Sequence, residues 1–175
     1  MPAVKSQLIS TAWGPFRLSW SERGLARTRL PDRQDLGAPV ALASLPLPVA
    51  EWARMICTYF DGGQPPLGTI PLDEEGVSEA ERRIYRALRA VPRGETVTYG
   101  ELARRAALPG EARAVGGAMA RNPWPLIVPC HRVLAANGKP GGFSAPGGLE
   151  TKLRMLTLEG AAVDGTGTPL LPGLF

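Results

Sequence analysis

The N-terminal part of the chain alternates apolar and polar residues in short runs. KSQLISTAW, RLSWSE and LARTRL follow one another between positions 5 and 30, and a GPF turn and Gly24 separate them. Alternation with a period of two, broken by glycine and proline, is typical of half-buried antiparallel strands. Between positions 49 and 60 the apolar spacing becomes helical, with one face made of Val49, Trp52, Met55, Ile56 and Phe60. The pattern therefore predicts a small sheet accompanied by one helix.

Helical spacing dominates the second half of the chain. Thr98 and Glu101 have the spacing of a capping box, which predicts a helix over residues 99–107. The sequence LPGEA then predicts a tight turn, and residues 112–121 form a second short helix that ends before Asn-Pro. Two short helices joined by a tight turn favour a helix-turn-helix, with an ordinary helix pair as the alternative.

The pattern divides the chain into two predicted domains. We expect an α+β protein, in the broad sense α/β, with a small antiparallel sheet and a helix in an N-terminal domain over residues 1–77. A linker leads to a mainly helical domain over residues 78–163, which contains the helix-turn-helix. This domain begins with a helix over 78–90, for which Ser78 is a suitable N-cap. Residues 164–175 form a tail.

The charge is distributed unevenly. Residues 1–79 carry seven basic and nine acidic groups, whereas residues 80–160 carry thirteen basic and six acidic groups. The excess of basic groups around the predicted helix-turn-helix indicates a polyanionic partner, with a solvated face as the alternative. No apolar run approaches the roughly 20 residues of a membrane span, and residues 1–10 lack the pattern of a signal peptide. We therefore expect a cytoplasmic protein with no membrane partner.

Cys130 and His131 are the residues most suggestive of chemistry. They follow the apolar run Ile127-Val128-Pro129, which predicts a strand, and His131 is the only histidine of the chain. A nucleophilic thiol must lose its proton, and a neighbouring imidazole can accept it, although buried packing explains the spacing equally well. The other cysteine, Cys57, is interpreted as a small packing residue. Two cysteines and one histidine do not make a usual four-ligand zinc site, so we expect no metal.

Longer stretches around these residues resemble one family. RGETVTYGELA (93–103), ARAVGGAMARNPWPLIVPCHRV (112–133), GGFSAPGG (141–148) and KLRMLTLEG (152–160) are similar to the O6-alkylguanine–DNA alkyltransferases, or methylated-DNA–protein-cysteine methyltransferases. The resemblance implies a DNA repair protein that flips the damaged nucleotide out of the duplex. It would transfer the alkyl group from the O6 of guanine to Cys130, once and irreversibly, without a cofactor. O4-alkylthymine is a second candidate substrate.

The resemblance also implies roles for individual residues. Cys130 would accept the alkyl group, His131 would take its proton through a water molecule, and Glu159 would orient His131. Asn122 would brace the turn before Cys130, and Tyr99 would press on the phosphate beside the lesion and protonate the departing base. The residues implied in DNA binding are Tyr99, Arg113, Ala114, Gly117 and Arg121. The residues implied in the substrate pocket are Met119, Val133, Phe143, Ser144 and Lys152.

Two departures from the family pattern concern the pocket. Phe143 stands where the family usually has a tyrosine, so the ring remains and the hydroxyl is lost. Ala145-Pro146 adds two residues to the Gly-rich loop relative to the common form. These differences leave the acceptor chemistry intact and affect the range of alkyl groups that the pocket would accept.

Three other functions fit parts of the pattern. A lesion-binding protein that flips the base and recruits other repair factors would typically carry tryptophan at the position of Cys130. A regulator that senses alkylation would need an additional domain, and a cysteine hydrolase would need a nucleophile and base in line, which adjacent residues rarely provide. We therefore expect a monomeric transferase that acts at the nucleoid in the cytoplasm. Its expected partner is double-stranded DNA that contains O6-alkylguanine.

Overall fold

The computed structural model describes residues 3–162, and in this part of the chain the predicted α+β class is confirmed. The strands and helices, in chain order, are β1 (Lys5–Thr11), β2 (Gly14–Ser21), β3 (Gly24–Arg29), α1 (Val49–Phe60), α2 (Glu79–Arg89), β4 (Val97–Thr98), α3 (Tyr99–Arg105), α4 (Ala112–Ala120), β5 (Val133–Leu134) and α5 (Gly148–Leu158). Short 3-10 turns span Leu42–Ser44, Leu67–Thr69 and Cys130–Arg132.

Internal contacts divide the chain into two compact units. The first contains the residues up to Glu75 together with Pro123–Ile127, and the second contains Gly76–Asn122 and the residues from Val128 onward. The predicted domain boundaries at residues 77 and 163 stay predictions. The predicted tail, residues 164–175, lies outside the described residues.

The first unit is a three-stranded antiparallel sheet in the order β1-β2-β3, with α1 beside it. Ile9 of β1 pairs with Phe16 of β2, and both side chains are buried. The Phe16 ring lies 5.8 Å from that of Phe60 at the end of α1, which shows that the apolar faces of sheet and helix form one core. The predicted GPF turn is wrong, because Gly14 already begins β2 and the turn is formed by the two residues before it. Phe16 is needed in the core, and this requirement sets the register.

The helices of the second unit follow the predicted pattern closely. Ser78 caps α2 in a complete capping box with Glu81. Thr98 caps α3 by accepting a hydrogen bond from the Glu101 backbone, but α3 ends at Arg105, two residues earlier than predicted. The Glu101 carboxylate pairs with Arg105 one turn later. Of the two hydrogen bonds in the predicted capping box, the structure thus shows the one from the Glu101 backbone N–H to the Thr98 side chain. The Glu101 carboxylate stabilises the helix through its pair with Arg105 instead.

The segment before Cys130 is not the strand that its apolar residues predicted. Pro123–Ile127 is part of the first unit, where Trp124 Nε1 donates to the Leu25 carbonyl at 2.7 Å. Leu126 has a positive φ of 81°, and extended pairing cannot continue through such a residue. Cys130 consequently begins a 3-10 turn, in which the backbone N–H of Arg132 donates to the Pro129 carbonyl at 2.9 Å.

The turn leads directly into β5, which pairs with β4 from an earlier part of the chain. Val97 of β4 pairs in parallel with Val133 of β5, so the turn with Cys130 comes directly before the pairing. None of the helices between residues 3 and 162 is both long and apolar enough to cross a membrane.

Candidate active site

Cys130 is a buried free thiol at the start of the 3-10 turn. Its residue is only 8% exposed, and its backbone N–H donates to the Val128 carbonyl at 2.8 Å. Burial raises the pKa of the Cys130 thiol, and a hydrogen bond from Asn122 and the charge of Lys152 partly oppose that effect. The thiol is therefore protonated at rest, so its reaction as a nucleophile requires a base.

His131 is the titratable side chain that follows this thiol in the 3-10 turn. Its side chain is fully buried, and Nε2 lies 2.7 Å from Oε1 of Glu159, which is the C-cap residue of α5. Nδ1 is also buried and has no hydrogen-bond partner among residues 3–162. Because a carboxylate can only accept, Nε2 carries the proton, and Nδ1 therefore presents a lone pair that can receive one.

The charges in this pair favour a neutral imidazole and an ionised carboxylate. Burial lowers the pKa of His131, and the carboxylate of Glu159 only partly compensates. Burial alone would raise the pKa of Glu159, but its interactions with His131 and Arg132 hold that pKa far below its usual range. The imidazole is thus ready to accept a proton at neutral pH.

Arg132 fixes the other side of the Glu159 carboxylate. Its Nε donates to Oε2 at 2.8 Å and its Nη2 donates to Oε1 at 2.9 Å, while Nη1 donates to the Val91 carbonyl at 2.7 Å. The carboxylate therefore has a two-point contact with a planar guanidinium, which sets its orientation as well as its charge.

Asn122 connects the two ends of the segment Pro123–Ile127, which belongs to the first unit. Its Nδ2 donates to the Val128 carbonyl at 2.9 Å, so the residues just before and just after Pro123–Ile127 are tied together. Val128 is also the residue whose carbonyl accepts from Cys130. The arrangement gives Asn122 the bracing position that the family resemblance implies.

A pocket of about 310 Å³ opens beside the thiol. Its lining consists of Tyr99, Gly116, Met119, Ala120, Cys130, Gly142, Phe143 and Ser144. Met119, Phe143 and Ser144 thus lie where the pocket prediction requires, and their roles stay predictions. Gly116, Ala120 and Gly142 were not predicted, since small residues carry no signal except the space they leave. Burial raises the pKa of Tyr99, so its phenol keeps its proton and can donate it.

Two residues predicted for the pocket are not among the residues that line it. Val133 is fully buried in β5, where it pairs with Val97 of β4. Lys152 is fully buried, and its Nζ donates to the carbonyls of Val133, at 2.6 Å, and of Pro140. Lys152 therefore ties the loop that carries Phe143 to β5, and burial lowers its pKa to about 8.

Of the residues predicted to bind DNA, Tyr99 begins α3, Arg113, Ala114 and Gly117 lie on α4, and Arg121 is the C-cap of α4. Positions 113, 117 and 121 are four residues apart, so they share one face of the helix, on which Arg113 and Arg121 are exposed. Arg121 is paired with Glu81 on α2. Ala114 and Gly117 are half-buried on the same side.

Sequence reasoning missed Arg132 and the turn that holds the end of α5. Arg93 Nη2 donates to the Leu158 carbonyl at 2.7 Å, and Gly94, with φ of 82°, leaves room where a Cβ would lie 3.1 Å from the Glu159 carbonyl oxygen. The sequence signal was a glycine directly after an arginine, but the partners of both residues lie more than sixty residues away. Among residues 3–162, no three of the His, Cys, Asp and Glu side chains form a group that could hold a metal ion.

Comparisons with known proteins agree with this geometry. Residues 79–161 match the model of the 6-O-methylguanine DNA methyltransferase DNA-binding domain. A methylated-DNA–protein-cysteine methyltransferase of Mycolicibacterium paratuberculosis is 36% identical over 156 residues, which cover 89% of this chain and 92% of that protein. A DNA base-flipping protein of Thermus thermophilus is 41% identical over 153 residues, or 87% of this chain and 98% of that protein. A crystal structure of the Mycobacterium tuberculosis OGT in complex with DNA has a TM-score of 0.69 at 32% identity, covering 94% of each chain.

Proposed function

Because this chain belongs to the family of methylated-DNA–protein-cysteine methyltransferases, we propose that it repairs O6-alkylguanine in DNA by taking the alkyl group onto Cys130. The observation that carries the proposal is the buried set of Cys130, His131 and Glu159 beside a 310 Å³ pocket. A thiol, a neutral base and a fixed carboxylate are the groups that activation of a nucleophile requires.

The transfer is a displacement at carbon. Nδ1 of His131 takes the thiol proton through a water molecule, and the imidazolium that forms is stabilised by Glu159. The sulfur of Cys130 then attacks the alkyl carbon, the bond between that carbon and O6 breaks, and its electron pair leaves with the guanine. Tyr99 donates its phenol proton to the departing base and regains one from solvent after the base has left, while the thiol proton stays on the imidazolium. The product is a thioether, which no group in the site can hydrolyse, so each molecule reacts once.

The burial of Cys130 supports a mechanism in which the nucleotide leaves the duplex. The thiol is 8% exposed behind a loop that bears Phe143, and a stacked base could not place its O6 substituent in line with the sulfur. Flipping costs a few kcal/mol, which contacts made by the flipped base must offset. Arg113 on the exposed face of α4 is positioned to fill the gap in the stack, and Ala114 and Gly117 allow close approach to a groove.

The test is the mass of the intact protein after incubation with a duplex that contains one O6-methylguanine. We expect a gain of one methylene on Cys130, no gain with unmodified DNA, and no gain for Cys130→Ala. Cys57→Ala is the matched control, because it removes the only other thiol and should still gain the methylene. A duplex with O4-methylthymine tests the second candidate substrate.

A lesion binder that does not transfer is the competing function, and the relative named as a DNA base-flipping protein is the reason to test it. Tight binding to the damaged duplex without a gain in mass would support that function and would overturn alkyl transfer. The proposal also includes action as a monomer at the nucleoid in the cytoplasm. Sedimentation of the free protein as a dimer would contradict the oligomeric part of it.

A further inference from the structure

Arg121 lies on the exposed face of α4 but is already bound to a carboxylate. It follows the last residue of the helix, and its side chain is 66% exposed. Nε and Nη2 donate to the same oxygen, Oε1 of Glu81, at 3.0 and 2.9 Å. Arg113, on the same face, has no ion pair among residues 3–162. The two arginines are therefore unequal: one carries an uncompensated charge and the other does not.

The Glu81 carboxylate is held in place from its other side. Its Oε2 accepts hydrogen bonds from the backbone N–H of Ser78 at 3.2 Å and from the Ser78 hydroxyl at 2.8 Å. These bonds belong to the capping box of α2, so the anion is part of the helix start. The hydrogen bond with Ser78, and then the pairing with Arg121, lower the pKa of Glu81. Glu81 is thus a fixed negative charge at neutral pH.

Gly117 makes room for the guanidinium of Arg121. A Cβ at this position would lie 3.1 Å from Nη1 of Arg121 and 3.4 Å from Nη2. The glycine therefore lets the guanidinium rest against α4 while it reaches Glu81. In the free protein, the guanidinium of Arg121 therefore occupies part of the space beside Gly117 that the missing side chain leaves.

We propose that Glu81 competes with DNA phosphate for Arg121 and thereby limits the affinity of the protein for undamaged DNA. The inference rests on the proposed function, because it assumes that the exposed face of α4 meets DNA. An exposed ion pair contributes little stability, so a phosphate can displace the carboxylate. The displaced carboxylate then lies close to the phosphate, and the like charges repel.

Binding of charge-removing variants to an unmodified duplex tests this proposal. Glu81→Gln keeps an acceptor for the capping box and removes the charge, since glutamine also serves in that motif. We expect this variant to bind the unmodified duplex roughly two- to fivefold more tightly, as an exposed pair allows. The dependence of log K on log salt should steepen by about 0.9, the value for one additional phosphate contact. Fluorescence anisotropy over a salt series measures both quantities.

Two further variants separate masking from simpler effects. Glu79→Gln removes a negative charge from the same helix that is more exposed than Glu81 and is paired with Arg82, not with Arg121. It should leave the salt dependence unchanged. The double variant Glu81→Gln, Arg121→Gln should return to the wild-type salt dependence, because the arginine released by the first change is removed by the second.

The outcomes are decisive in both directions. If Glu81→Gln binds like the Glu79→Gln control, or more weakly than wild type, masking is overturned. Masking is also overturned if the double variant has a weaker salt dependence than wild type. That result would mean that Arg121 of the wild-type protein already contacts a phosphate while Glu81 is present. Methyl transfer to Cys130 is measured on the same preparations. Transfer that persists while masking fails leaves the proposed function standing, whereas a wild-type protein that never gains the methylene overturns that function.

Discussion

Glu159 Oε1 lies 2.7 Å from Nε2 of His131, and neither side chain is exposed to solvent. The two residues are 28 positions apart. Glu159 is the C-cap of α5 and His131 lies in the 3-10 turn that begins at Cys130, so the contact joins the end of the helix to the turn. A carboxylate at a helix C-terminus gains nothing from the helix dipole, so its position there is explained by its partners. The contact selects the tautomer of His131 that leaves Nδ1 free to accept a proton.

Replacement of Glu159 by glutamine removes the charge and weakens that selection, because an amide can donate to His131 as well as accept from it. We expect Glu159→Gln to slow single-turnover transfer by roughly 100-fold or more, because general base catalysis of this kind contributes about 10²–10⁴ in rate. The free energy of unfolding should also fall by about 3 kcal/mol, since Arg132 loses the charge of its buried partner. Glu150→Gln is the control, because Glu150 is exposed on the same helix. A Glu159→Gln protein that transfers at the wild-type rate would remove Glu159 from the mechanism.

The same pair makes the protein sensitive to acid. The pKa of His131 is lowered from its ordinary value of 6.5. Just below pH 6.5, His131 is therefore protonated in the unfolded chain and still neutral in the folded one. The contribution of His131 to stability is therefore present above pH 6.5 and is lost as pH falls below it. Glu159, whose pKa is lowered from 4.5, adds a second loss below that value. Chemical unfolding from pH 8 down to about pH 2 measures both steps, because the Glu159 step lies below its ordinary pKa of 4.5.

The transfer rate should follow the first of these steps. It should fall only below pH 6.5, because His131 must be neutral to accept the thiol proton. His131→Gln should abolish this limb of the pH profile along with most of the rate. A rate that begins to fall well above pH 7 would mean that another group is the base.

The helix ends of the site could be predicted from the sequence, but the path of the chain before Cys130 and the long-range side-chain contacts could not. Ser78, Thr98 and Glu159 stand at helix ends, where local hydrogen bonding decides the structure, and the structure places them there. The strand before Cys130 was wrongly predicted, since Ile127 belongs to the first unit and Val128 to the second, and Leu126 just before them adopts a positive φ. Contacts such as that between Arg132 and Glu159 join residues far apart in the chain, and periodicity carries no information about them.

Arg132 offers a test of orientation separate from charge. Arg132→Lys keeps a cation beside Glu159 but cannot form the forked contact with both carboxylate oxygens and the third bond to Val91. We expect a loss of about 1–3 kcal/mol in unfolding free energy and a slower transfer. Arg105→Lys, at an exposed pair on α3, should cost less than about 0.5 kcal/mol. Equal effects of the two changes would show that the fork around Glu159 has no special role.

Phe143 tests how the pocket holds the flipped base. Its ring lines the 310 Å³ pocket, and the loop that carries it is tied down by Lys152 at Pro140. Stacking of a base on an aromatic ring contributes about 1–3 kcal/mol, so Phe143→Ala should reduce the second-order rate of transfer by roughly 5- to 100-fold.

Phe143→Tyr is the matched control, because it keeps the ring and adds only a hydroxyl. It should transfer at a rate close to that of wild type. Melting temperatures of the two variants separate a loss of stacking from a loosened loop: stacking alone changes the rate without lowering the melting temperature. Since a ring that merely covers the thiol would leave Cys130 more open when removed, faster transfer by Phe143→Ala would show that Phe143 restricts access and does not bind the base.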